Sequence, residues 1–143
     1  MTPDRDCVFC KIAAADIPAF IIYENESVVS FLDINPLAEG HLLVIPRKHY
    51  AQVMEMPQAE CGALFSLVPM LGRVLLDVTG AEGFNVLLNN GRVAGQVVSH
   101  VHCHLIPRRP ADELGYRWNA GRYPEGRDAE LATAYQKALA RNK

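Results

Sequence analysis

His100, His102 and His104 stand at every second position of one short run, His-Val-His-Cys-His-Leu-Ile-Pro, and make up three of the chain's five histidines. An extended strand sends alternate side chains to opposite faces. The spacing therefore predicts three imidazoles on one face, with Val101, Cys103 and Leu105 turned toward a core. Imidazole titrates near neutrality, binds metals and attacks electrophiles. A histidine that attacks phosphorus splits one difficult displacement into two easier ones. It needs a neutral ring with one nitrogen free and the other fixed by a hydrogen bond, and donors nearby to hold the phosphate oxygens. The preceding loop, Asn89-Asn90-Gly91-Arg92-Val93-Ala94-Gly95, carries two glycines that leave backbone open to an anion.

A second constellation is Cys7-x-x-Cys10, a knuckle whose two thiolates can share one ion, with a helix start favouring the deprotonated form. The same spacing fits a redox pair or two buried thiols, although the thioredoxin-like strand context of a redox pair is missing. Cys61, within a helix, and Cys103, on the far face of the histidine strand, read as core residues. By itself Asp33 reads as a turn residue, and His41, following Gly40 at a strand start, as structural. Arg108 and Arg109 sit at a strand end, where they either meet a polyphosphate or face solvent.

These groups need a scaffold. Cys7–Ala15 reads as a short helix, and Phe20–Tyr23 with Val28–Leu32 as a hairpin around Glu24-Asn25-Glu26. A loop marked by Asn35-Pro36 and Glu39-Gly40 leads to the strand His41–Pro46. Leu64, Leu67, Leu71, Leu75 and Val78 recur at helical spacing, so residues 58–79 are predicted as the main amphipathic helix, kinked or broken at Pro69. Phe84–Leu88 is a strand, and the histidine strand ends near Pro107. A polar tail holding Trp118 follows. Asp128 is placed to cap a last helix with Leu131, Tyr135 and Leu139 on one side. Strands joined by short turns and crossed by a helix predict an α+β fold with an antiparallel sheet. The 143 residues are expected to form a single domain, 1–143, with 110–143 a C-terminal tail ending in a helix.

Composition narrows the partners. No uninterrupted apolar stretch approaches a membrane span, and the opening Met-Thr-Pro-Asp-Arg-Asp lacks an export signal, so no membrane and a cytoplasmic location are expected. With 14 basic and 16 acidic residues the net charge is −2, which argues against a nucleic-acid partner.

The run Gly95-Gln96 through His100-Val101-His102-Cys103-His104-Leu105-Ile106 resembles the histidine triad (HIT) superfamily, whose signature is His-φ-His-φ-His-φ-φ. Phe31-Leu32-Asp33-Ile34, the Gly40–Pro46 strand and Cys7-Val8-Phe9-Cys10-Lys11-Ile12 extend the likeness over roughly residues 7–109. The resemblance implies a HIT-like antiparallel sheet of about five strands, with one long helix and shorter N- and C-terminal helices. It implies a nucleotide hydrolase or transferase acting at the α-phosphate of a nucleoside phosphoramidate or dinucleoside polyphosphate. By position His102 would be the nucleophile carrying the nucleotidyl group, and His104 would contact phosphate and assist the leaving group. Asp33 and Ile34 would meet ribose and base, and Asn89, Gly95 and Gln96 the sugar-phosphate. Zinc-carrying relatives map a structural Zn2+ onto Cys7, Cys10, His49 and His100. A purine nucleotide and a homodimer are also implied. One departure is Val97, where many members carry Ser or Thr after Gly-Gln. That missing hydroxyl keeps alive an alternative, a nucleotide sensor or scaffold with little turnover. A second rival is a zinc hydrolase using His100, His102 and His104 as ligands.

Overall fold

The computed structural model describes residues 4–114 and 120–142, so Trp118 lies outside the described residues. They fall into two units, one reaching Glu113 and one beginning at Leu114.

The first unit is built on five antiparallel strands: β1 (Ile21–Glu24), β2 (Val28–Leu32), β3 (Leu42–Pro46), β4 (Gly83–Leu88) and β5 (Cys103–Arg108). Their order across the sheet is β1-β2-β3-β5-β4. The β1–β2 turn closes on Asn25, whose side-chain oxygen accepts from the amides of Ser27 and Val28, both at 2.9 Å. Three helices accompany the sheet, α1 (Val8–Ala13), α2 (Gln58–Phe65) and α3 (Val68–Thr79).

Strand parity sorts the side chains into two cores, one on each face of the sheet. Val28, Leu42, Val44, Val101, Cys103 and Leu105 pack with Leu64, Leu71 and Leu75 of α2 and α3. Val29, Phe31, Leu43 and Ile45 face the other way and pack with Cys7, Phe9 and Cys10 around α1. Val101, Cys103 and Leu105 thus point into a core, as period-two spacing requires. Since His104 pairs with Leu43, it stands on the α1 face.

Several boundaries differ from those read in the sequence. The histidine run is not wholly strand: ladder pairing with β3 begins at Val44–Cys103, and His100 and His102 lie on the segment entering β5. There the Pro46 carbonyl is met by the His100 ring at 2.9 Å, while the Val101 amide donates to the Tyr50 carbonyl. The helix over 58–79 is broken near Pro69, as its sequence leads one to expect, into α2 and α3, with Pro69 in the first turn of α3, where its missing N–H costs nothing. The whole stretch Gln58–Thr79 is apolar enough by length and composition to match a membrane span, which the sequence reading did not foresee. Its buried Leu64, Leu71 and Leu75 belong instead to the sheet's core. Gly72 explains the closeness of α3 to β4, since a Cβ there would stand 2.3 Å from Cζ of Phe84. Ala15, at φ 60°, follows the end of α1, two residues before the expected stop.

The second unit contains α4 (Arg127–Arg141), whose 15 residues exceed those of α2 and α3, so the C-terminal helix is not the shorter one. No Gly or Pro interrupts it. Its N-cap is Gly126 at φ 79°, not Asp128, which sits in the first turn and accepts from the Ala129 amide at 2.8 Å. Leu131 is half-buried, while Tyr135 and Leu139 are exposed.

Candidate active site and metal centre

At the start of α1, Cys7 acts as N-cap, its sulfur accepting from the Cys10 amide at 3.4 Å. The Asp4 amide donates likewise to Cys10 Sγ at 3.4 Å. Facing these sulfurs are His100 Nδ1, 3.4 Å from Cys7 Sγ and 3.5 Å from Cys10 Sγ, and His49 Nδ1, 3.3 Å from Cys10 Sγ. All four donor atoms lie within 4.8 Å of one another. A tetrahedral zinc with ordinary bond lengths would separate sulfur from nitrogen by about 3.5 Å, so the donor set fits that ion. The protonation states suit it too. His100 Nε2 bonds the Pro46 carbonyl, which only accepts, so the proton sits on Nε2 and Nδ1 presents a lone pair to the sulfurs. Burial holds the His100 pKa down at about 4, partly opposed by the Pro46 carbonyl and reinforced by His49 and His102. Burial also raises the Cys10 thiol, so a cation is what would make its thiolate favourable.

On the same face, a chain of hydrogen bonds fixes the tautomers of three more histidines. His102 Nδ1 donates to the His100 carbonyl at 2.7 Å, leaving Nε2 as the nitrogen with the free lone pair. The Leu37 amide donates to His41 Nδ1 at 3.1 Å, so neutral His41 carries its proton on Nε2. That Nε2 donates to His104 Nδ1 at 2.9 Å, which puts the His104 proton on its own Nε2. The His102 and His104 rings stand 4.9 Å apart at 66°. One offers a base nitrogen and its neighbour an N–H donor, the pair of roles that attack on a phosphate requires. Burial lowers the pKa of both His41 and His104, the latter to about 4, with His102 and His41 adding to the effect and Asp33 opposing it. Both rings are thus neutral at pH 7.

His41 read as structural in the sequence; the structure ties it to His104. The signal was strand parity: His41, just before β3, continues the alternation of Leu43 and Ile45, and Leu43 pairs with His104. Asp33 lies below His41, with Oδ2 at 3.7 Å from His41 Nε2 and Oδ1 accepting from the Asn35 amide.

A cavity of about 560 Å³ opens over these rings, lined by Asp33, Ile34, Asn89, Gly95, His102 and His104 among others. Its walls are mainly apolar, including Val8, Phe9, Ile12, Phe31 and Leu43. Gly95 turns at φ 96°, and a Cβ there would crowd Asn89 Nδ2 at 3.3 Å. Val97 lines the cavity too and is 88% exposed. Gln96 is the expected nucleotide contact that the structure does not bring to the cavity wall. It is buried, its Nε2 donating to the carbonyls of Ala51 (2.6 Å) and Val98 (3.1 Å) while its Oε1 accepts from the Gly91 amide (2.8 Å). These bonds hold the loop. Arg108 is engaged by Asp112 and Asn85, and Arg109 by the Thr79 carbonyl, and neither lines the cavity. The three-histidine zinc rival lacks support. Among the described residues, the clusters able to hold a metal are Cys7–Cys10–His49–His100 and Asp33–His41–His104, and His102 belongs to neither.

A five-stranded antiparallel sheet presenting this row of histidines defines the HIT class. The HIT domain model matches residues 14–111, and the chain belongs to that family. It is 45% identical over 125 residues to an adenosine 5'-monophosphoramidase HNT1 of Candida albicans, covering 84% of this chain and 82% of that protein. Among solved structures, SMU.412c from Streptococcus mutans is 41% identical with a TM-score of 0.92, covering 97% of this chain and 89% of that one. A zinc-bound histidine triad family protein from Mycobacterium smegmatis is 35% identical with a TM-score of 0.73, covering 94% and 97%.

Proposed function

We propose that this protein hydrolyses nucleotides at the α-phosphate, with His102 Nε2 as the attacking atom. The observation that carries the reading is the hydrogen bond from His102 Nδ1 to the His100 carbonyl, which in the neutral ring puts the free lone pair on Nε2, beside the cavity. In the first step the Nε2–P bond forms while the bond from phosphorus to the leaving group breaks, and the leaving group departs protonated by solvent. In the second, water attacks phosphorus and loses its proton to solvent, the Nε2–P bond breaks with its electron pair returning to Nε2, and the nucleoside monophosphate is released. The Nε2–H of His104 hydrogen-bonds the charge that builds up on phosphate oxygens or the departing atom. Asp33, Ile34, Asn89 and Gly95 hold the nucleoside, whose base suits the apolar walls. By likeness to the monophosphoramidase, an adenosine phosphoramidate is the preferred class of substrate, ahead of a dinucleoside polyphosphate. A bound Zn2+ would be structural: Cys7, Cys10, His49 and His100 would hold it, fixing the segment that presents His102. The protein acts as a homodimer in the cytoplasm on this reading.

Val97 favours a second reading, since an exposed methyl surface stands where a hydroxyl donor would serve turnover. Steady-state hydrolysis of adenosine 5'-phosphoramidate, together with AMP affinity, separates the two. Hydrolysis lost in His102→Ala with AMP binding retained is the expected result. Tight AMP binding by the wild type without measurable hydrolysis would favour the sensor.

A further inference from the structure

The metal centre and the nucleotide cavity share one short element. α1 has six residues, far fewer than the roughly 12–15 at which an isolated helix becomes even marginal in water. One side of it supplies Cys7 and Cys10 to the metal cluster, while Val8, Phe9 and Ile12 line the cavity. Between the two cysteines, Phe9 is buried and meets three rings edge-on: Phe31 at 5.6 Å, His100 at 5.9 Å and His102 at 5.0 Å. A single side chain thus touches a metal-ligand ring, the nucleophile's ring and the wall of the nucleotide site.

We propose that Phe9 is a positioning residue through which occupancy of the Cys7–Cys10–His49–His100 centre and nucleotide binding beside His102 are coupled. The inference rests on the nucleotide reading of the cavity given above. A cation held by Cys7 and Cys10 on one side and by His49 and His100 on the other would tie α1 to the segments that leave β3 and enter β5. With α1 comes the Phe9 edge that confines the His102 ring and completes the apolar wall. Without the cation, α1 is retained by apolar burial, the sulfur hydrogen bonds and the Arg47 Nη1 donation to the Ala13 carbonyl at 2.8 Å, and its docked state is less populated. A ligand that needs the docked wall then binds more weakly in proportion to that population. Because linkage is reciprocal, nucleotide must raise metal affinity by the same factor by which metal raises nucleotide affinity.

The test uses Zn2+ and AMP as probes on the full chain. AMP affinity is measured by calorimetry on zinc-loaded and chelator-stripped protein, and zinc affinity by chelator competition with and without saturating AMP. Both should change by one common factor of about ten, within the usual range of site-to-site coupling. Phe9→Leu should keep zinc affinity in the absence of AMP yet bring the coupling factor near one. Ile34→Ala, on a cavity side chain away from the knuckle, should weaken AMP while leaving the factor intact. If stripping unfolds the chain by circular dichroism, the zinc-competition arm decides: coupling routed through global folding would survive in Phe9→Leu and overturn the proposal. Equal AMP affinity in loaded and stripped folded protein would also overturn it. AMP binding by neither form would instead sink the nucleotide reading, and this proposal with it.

Discussion

His41 Nε2 stands 2.9 Å from His104 Nδ1, and through that bond a buried ring outside the triad decides which nitrogen of His104 carries its proton. The direction of the bond is set one step further back by the Leu37 amide, which occupies His41 Nδ1. A backbone donor therefore fixes the hydrogen-bonding role of a side chain at the cavity, two rings away.

Replacing His41 by Ala removes that donor, and His104 is then free to take the other tautomer. Hydrolysis of adenosine 5'-phosphoramidate should fall by about 10–100-fold in kcat, the usual cost of losing a residue that orients a site group, with AMP affinity little changed. Parallel kcat and Kd measurements check it. Unchanged kcat would mean that His104 does not depend on this bond.

The pH dependence of stability has a definite sign. His100 and His104 hold pKa values of about 4 against an ordinary value of 6.5, because burial disfavours the charged ring. As pH falls below 6.5 the unfolded chain takes up protons that the folded chain still refuses. Their contribution is thus fully present above pH 6.5, is lost progressively down to about 4, and changes no further below that. Urea midpoints across this window should fall with pH, and His104→Asn should flatten the decline. A midpoint that rises on acidification would contradict the burial assigned to these rings.

Gly72 is required by contact rather than by conformation. In Gly72→Ala the new Cβ meets the Phe84 ring at 2.3 Å, so the roughly 1 kcal/mol gained in helix propensity should be outweighed by about 1–3 kcal/mol of overpacking. Denaturant unfolding should show net destabilisation, and Phe84→Leu in the same chain should recover part of it.

Gln96→Ala should act through the loop. It strands the Gly91 amide and the Ala51 and Val98 carbonyls, at a cost of about 1–3 kcal/mol for each group that stays buried and unpaired. Thermal stability should drop and KM should rise as the 91–96 segment loosens. A rise in KM with no loss of stability would instead mark Gln96 as a direct nucleotide contact.

The sheet was legible in the sequence because its signal is local. Short runs bounded by turn residues, and alternation in the histidine run, pointed to all five strands, and for Val28–Leu32 both ends agree. The two metal-site cysteines and the triad histidines were visible as spacings, and their clustering followed once the sheet brought His49 and His100 to α1. What stayed hidden depends on register and on hydrogen bonding. His41 joins the site only because β3 pairs with β5, so its parity with Leu43 gains meaning once the register is known. Gln96 beside a glycine loop looks the same whether it reaches a ligand or pins the backbone. Phe9 reads as an apolar residue between two cysteines until three other rings are seen around it.

The most direct test of the central claim is the intact mass of the protein quenched within milliseconds of mixing with adenosine 5'-phosphoramidate. A nucleophilic His102 Nε2 predicts a transient adenylyl adduct that maps to His102 and is missing in His102→Ala. Steady hydrolysis with no adduct at any quench time, or an adduct that maps to another residue, would contradict it.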